Sequence, residues 1–150
     1  MDAAPKSIFP PTRLVELAAL GARFHTEGNL PGCFNPLVFV RTWRTFLSAG
    51  VAEVFIIETD GVITGMLGAM IYPDPNDGAL VATEMFWYVA PEARGAGLRL
   101  LRDFEAWATD RGAARLIMVH LHDLMPEALA KLYQRRGYRP VETHYIKEIN

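Results

Sequence analysis

The sequence predicts an α/β domain of three layers: a mixed, mainly antiparallel twisted sheet of about six strands, with helices on both faces. Three observations lead there. Residues 52–58 and 62–71 are rich in β-branched and aromatic side chains and are joined by Asp60-Gly61, a strong short hairpin signal, so part of the sheet is antiparallel. Between positions 79 and 121 a strand, a helix and a strand follow one another, which calls for a right-handed parallel crossover. Three segments carry apolar residues at helical spacing and Pro126 opens a further helix, enough to cover both faces of the sheet.

Taken in order, residues 6–9 read as a short edge strand cut off by Pro10 and Pro11. Thr12 reads as the cap of a helix over 13–25, with Leu14, Leu17, Ala18 and Gly21 on one face. Residues 27–34 form a turn-rich loop, after which Asn35-Pro36 is a cap and first residue of a second helix. Phe39, Trp43, Phe46 and Leu47 make its apolar stripe, and Gly50 ends it. The hairpin follows, then a loop over 73–78 and a long strand over 79–89. The helical period returns from Gly97 to about Arg111, with Leu100, Leu101, Phe104, Trp107 and Ala108 on one stripe and Gly112 as the stop. A strand over 115–121 comes next. Pro126 opens a last helix that Gly137 closes, and residues 138–149 are extended, interrupted by Pro140.

Composition narrows the function. With 150 residues, 51% hydrophobic and 21% charged, the chain suits one folded domain over 1–150. Its formal net charge of -2 argues against a general nucleic-acid binder. No apolar run approaches the ~18 residues of a membrane span, and no secretory signal is visible, so a cytoplasmic location without membrane attachment is expected. The single cysteine, Cys33, excludes an internal disulfide and a cysteine-only zinc site.

The chemistry concentrates where the 79–89 strand meets the next helix: Tyr88-Val89-Ala90, then Arg94-Gly95-Ala96-Gly97-Leu98-Arg99. Free amides at a helix N-terminus attract anions, glycines let backbone approach a phosphate, and Arg94, Arg99 and Arg102 add positive charge. This is a pocket for a phosphate or pyrophosphate. A Walker A loop needs Gly-Lys-Ser/Thr, which is absent, and Leu100 stands where a dinucleotide fingerprint has its third glycine.

The arrangement resembles the GNAT superfamily of acyl-CoA-dependent N-acyltransferases, whose signature is Arg/Gln-x-x-Gly-x-Gly/Ala. The lead-in Val89 to Gly95 and the positions through Leu98 suit that pattern; Arg99 stands where a small residue is usual. A second match is Tyr133-x-x-x-Gly137-Tyr138, although Pro126 replaces the asparagine often found seven residues before the tyrosine. The resemblance covers nearly the whole chain and implies acetyl-CoA as cosubstrate and a primary amine as acceptor. It implies that Arg94 to Arg99 hold the pyrophosphate, that the strand edge at Tyr88 to Ala90 binds the pantetheine arm, and that Tyr133 protonates the departing thiolate.

Amine attack also needs a base. Glu84 is the one acid between positions 79 and 90, and strict alternation would put it on a face with Phe86 and Tyr88; in part of the resembling family a glutamate stands at this place. His120 is the alternative base, and His122 shares its face if the strand reaches 121. With Asp123 and His144 these histidines do not fit the familiar hydrolase zinc spacing, so no metal is expected. Phe24, His25, Phe34 and His122 are the candidate acceptor-side residues. The acceptor, a small-molecule or protein amine, stays open, as does the choice between monomer and homodimer. Two other readings also stand at this point: a catalytically silent acyl-CoA-binding or protein-interaction module of the same fold, and an unrelated α/β domain whose glycine turn binds another phosphate.

Overall fold

The computed structural model describes residues 8–149, divided between an N-terminal unit ending at Val119 and a C-terminal unit beginning at His120. In the N-terminal unit, Pro11 starts a 3-10 turn, Pro11–Arg13, that runs directly into α1, Leu14–Glu27. Thr12 therefore sits inside a turn and caps nothing, because proline at the first position nucleates the turn one residue earlier. Helix α2, Pro36–Ser48, begins as expected: the Asn35 Oδ1 accepts from the Leu37 and Val38 amides at 3.1 and 3.2 Å.

The sheet is built from β1 (Ala52–Thr59), β2 (Val62–Pro73), β3 (Leu80–Val89) and β4 (Arg115–Ile117), in spatial order β1-β2-β3-β4. The first three are antiparallel, joined at the Asp60-Gly61 turn, where both residues take positive φ; β4 is parallel to β3, after the crossover through α3, Gly97–Asp110.

Side chains sort the helices to opposite faces. Phe86, paired with Gly68, meets Trp43 of α2 at 4.8 Å between ring centroids, and Tyr88, paired with Met66, meets Phe24 of α1 at 5.5 Å. On the other face Phe55, paired with Leu67, meets Trp107 of α3 at 6.0 Å. Phe104, Leu100 and Leu101 of α3 are fully buried there, as the periodicity predicts. Gly68 is required at the sheet centre: a Cβ there would lie 2.4 Å from the Phe86 ring and 2.8 Å from Trp43.

Four strands stand among the described residues where about six were expected. Of the 6–9 edge strand, Lys6 and Ser7 lie outside the described residues; Ile8 and Phe9 form a bend whose amides go to the Glu53 carboxylate instead of a ladder. Strand β4 stops at Ile117 because the Val119 amide is taken by the Glu84 carboxylate. In the C-terminal unit, α4 spans Pro126–Arg135, and Gly137 follows it with φ 90° while the Tyr138 amide donates to the Tyr133 carbonyl. Residues 138–149 form no strand, and Pro140 among them has no amide to give to a ladder.

Candidate active site

The decisive local feature is a break in β3. Gly68 pairs with Phe86, but the next residue of β2, Ala69, pairs with Glu84, so Met85 is an extra, bulged residue. Neighbours on β2 face opposite ways, so the bulge puts Glu84 opposite Ala69 and Phe86 opposite Gly68, on different faces. Glu84 therefore does not share a face with Phe86 and Tyr88, because the alternation that predicted it fails at Met85. Its carboxylate is buried and accepts the Val119 amide at 3.0 Å. Burial pushes it up to about 7, and the Val119 hydrogen bond only partly opposes that rise.

The same bulge ends the ladder. Strand β3 pairs with β4 only over Val81 to Thr83, which leaves Tyr88 and Val89 with no β4 partner before Ala90 donates to the Thr64 carbonyl at 2.8 Å. A 3-10 turn, Pro91–Ala93, then leads to Arg94 and the glycines. Gly95 has φ 110°, which a side chain would oppose, and a Cβ on Gly97 would come 3.2 Å from Val89. The amides of Gly95, Gly97 and Leu98 donate to nothing among the described residues, while Ala96 and Arg99 are engaged in the turn itself. Three unspent donors thus stand at the positive end of the α3 dipole.

Charges around this turn are organised by α1, which the sequence reading missed. Glu27 accepts from both the Tyr88 hydroxyl and the Arg94 guanidinium, and Arg94 also donates to the Val89 carbonyl at 3.3 Å. Arg23, one turn earlier, pairs bidentately with Glu92 at 3.0 and 3.1 Å. Burial, then the Glu27 carboxylate, raises the Tyr88 phenol to about 12; the Tyr88 hydrogen bond, then Arg94, lowers Glu27. Arg23 holds Glu92 down at about 2. Glu27 was read as part of the loop after the helix, and nothing local says what lies across from it. Arg99 does not crowd the turn: its guanidinium reaches the Ile56 carbonyl at 3.3 Å and Asp103 at 3.8 Å.

Phe24, His25 and Phe34 come together. They line a cavity of about 440 Å³ between α1, the loop after it, α2 and the sheet. His25 Nε2 bonds the Pro31 carbonyl at 3.1 Å; since a carbonyl only accepts, the neutral ring carries its proton on Nε2 and leaves Nδ1 as an acceptor.

His120, His122 and Tyr133 belong to the C-terminal unit. The first two follow the end of β4 instead of alternating along it, because β4 ends at Ile117; their rings still stand 6.4 Å apart, edge to face. Tyr133 is buried on α4, with its ring 5.7 Å from that of Tyr138. Among the described residues no group of three or more His, Cys, Asp or Glu could hold a metal, and no helix is long and apolar enough to cross a membrane.

Residues 23–138 match the family model described as acetyltransferase (GNAT) family. No curated protein matches the sequence. Solved structures share the fold at low identity. A ribosomal-protein-alanine N-acetyltransferase from Brucella melitensis biovar Abortus 2308 is 20% identical, over 94% of this chain and 96% of that one, at a TM-score of 0.68. An acetyltransferase predicted in Clostridium acetobutylicum, solved with acetyl-CoA, is 17% identical over 95% and 92%, at 0.75. An aminoglycoside acetyltransferase from an uncultured soil metagenomic sample is 17% identical over 95% of each, at 0.71.

Proposed function

The chain belongs to the GNAT acetyltransferase family, and on that premise we propose that residues 1–150 act as one N-acetyltransferase domain, moving an acetyl group from acetyl-CoA to a primary amine by direct attack. The observation that carries this reading is the turn from Arg94 to Arg99, with three amides unspent at the start of α3 beside the unladdered end of β3. Those amides suit pyrophosphate oxygens, and the β3 edge from Tyr88 to Ala90 suits the amide groups of a pantetheine arm.

The reaction balances without a covalent enzyme intermediate. The amine lone pair attacks the thioester carbonyl, a C–N bond forms, the C–S bond breaks, and CoA leaves as a thiol. A base near neutrality takes the amine proton most effectively at neutral pH, and Glu84 has that property, through water if the amine does not reach it. His120 is the second candidate base. Tyr133 supplies the proton to the thiolate, and a phenol is protonated at neutral pH. The assembly operates in the cytoplasm, as a monomer or homodimer, with no metal, nucleic acid or membrane taking part.

Thermal melting with acetyl-CoA, and with ATP and NAD as controls, tests the cosubstrate. Acetyl-CoA at 100 times its Kd should stabilise the fold by about 2.7 kcal/mol. A shift with ATP or NAD but none with millimolar acetyl-CoA would overturn the reading.

A further inference from the structure

We propose, resting on the acyltransferase reading above, that the acceptor is a small primary amine bearing one aromatic ring and no second cationic centre, its ring held in the cavity between α1, α2 and β3. The lining carries the argument. Phe24, Phe34, Phe39, Trp43 and Phe86 stand around about 440 Å³, a volume suited to a small ligand. Their rings are tilted against one another, with Phe34 5.5 Å from Phe39, Phe39 5.8 Å from Phe86, and Trp43 edge-on to Phe86 at 4.8 Å. A guest ring would thus meet both faces and edges, the arrangement aromatic pairs prefer.

Charge decides what the cavity refuses. Among the described residues no Asp, Glu, Lys or Arg lines it; His25 and Thr42 are its most polar side chains. Each ammonium of a polyamine or aminoglycoside would lose its water there without a counter-charge, which is costly. For a single amine the same surroundings are helpful, because they favour the neutral form that attacks. His25 Nδ1, left as an acceptor by the Pro31 bond, can take one N–H.

Two backbone devices shape the cavity. Gly21 makes room for a wall, since a Cβ there would lie 2.9 Å from the Phe34 ring. The bulge puts Met85 in the lining while leaving it 51% exposed, next in the chain to Glu84. The thioether of Met85 suits contact with an aromatic guest, while Glu84 itself lies on the other face of the sheet.

Thiol release from acetyl-CoA is measured with 2-phenylethylamine, tryptamine, ethylamine and neamine as acceptors. The kcat/KM for the two arylalkylamines should exceed that for ethylamine by about tenfold or more, the size expected for burying a ring, and exceed that for neamine by at least as much. Phe34→Ala should reduce the ratio of 2-phenylethylamine to ethylamine by about tenfold, mainly through KM. Met85→Glu, at an exposed position that does not threaten folding, should reduce the same ratio. The proposal falls if ethylamine or neamine is used as well as the arylalkylamines, if both variants leave the ratio unchanged, or if acetyl-CoA shifts the melting temperature and no amine releases thiol. If acetyl-CoA produces no shift, the acyltransferase reading fails first and this proposal fails with it.

Discussion

Glu53 on β1 and Glu84 on β3 stand on either side of the same residue, Ala69 of β2, and both are buried. Their surroundings differ in donors. Glu53 accepts from the Ile8, Phe9 and Val54 amides at 2.8, 3.1 and 3.0 Å, whereas Glu84 accepts from Val119 at 3.0 Å. Several backbone donors replace the water a carboxylate loses and make it a structural anchor for the chain before α1. One donor does not, so Glu84 holds its proton up to about 7. Residue type and depth are alike; what differs is the number of backbone amides that converge on each carboxylate.

The largest effect expected from this comparison is on stability. Glu53→Ala strands two buried donors, the Phe9 and Val54 amides, and the part-buried Ile8 amide, and at roughly 1–3 kcal/mol for each buried donor the loss should approach about 4 kcal/mol, read by chemical denaturation. A loss under about 1 kcal/mol would remove the distinction between the two carboxylates.

Glu84 should behave in the opposite way. Its folded pKa lies above the usual 4.5, so the folded state keeps a proton that the unfolded state has lost. The resulting stability is complete below about 4.5 and declines as pH rises to about 7, by about 3 kcal/mol in all. Glu84→Gln should flatten that slope without lowering stability at pH 8, while reducing turnover by about a hundredfold or more. Wild-type kcat/KM should rise with pH through about 7 as the carboxylate ionises, and a profile flat from pH 6 to 8 would assign the base elsewhere, to His120 first.

Smaller effects sharpen the same contrast. Tyr133→Phe removes a proton donor without touching either carboxylate, so turnover should fall by about tenfold while the ascending limb near pH 7 stays in place. Arg99→Ala should weaken acetyl-CoA by less than about fivefold in a calorimetric titration, since its exposed side chain is already occupied with Ile56 and Asp103. A larger loss would make Arg99 a principal phosphate ligand.

Much of the site was legible before the fold. The strand, glycine turn and helix at Tyr88 to Arg99 depend on local conformation, and Gly95 takes the positive φ that its type suggests. The Asn35 cap and the Asp60-Gly61 turn were legible for the same reason. Glu84 was found as a lone acid in an apolar strand, yet its face was misread, because a one-residue bulge at Met85 leaves no trace in composition while reversing the alternation beyond it. Glu53, similarly acidic and apolar-flanked, drew no attention, and Glu27 lay in what read as a loop.

The amino-acid sequence by itself determined the helices, the hairpin and the glycine turn before α3, since caps, turn residues and apolar periodicity act within a few residues of themselves. The tertiary structure alone decided which carboxylate is buried among donors, which side of the sheet Glu84 takes, that Glu27 joins Tyr88 to Arg94, and that six Phe and Trp rings converge on one cavity. Those properties are distances between residues remote in the chain, fixed by strand register and by helix packing on the two faces. No local propensity records them.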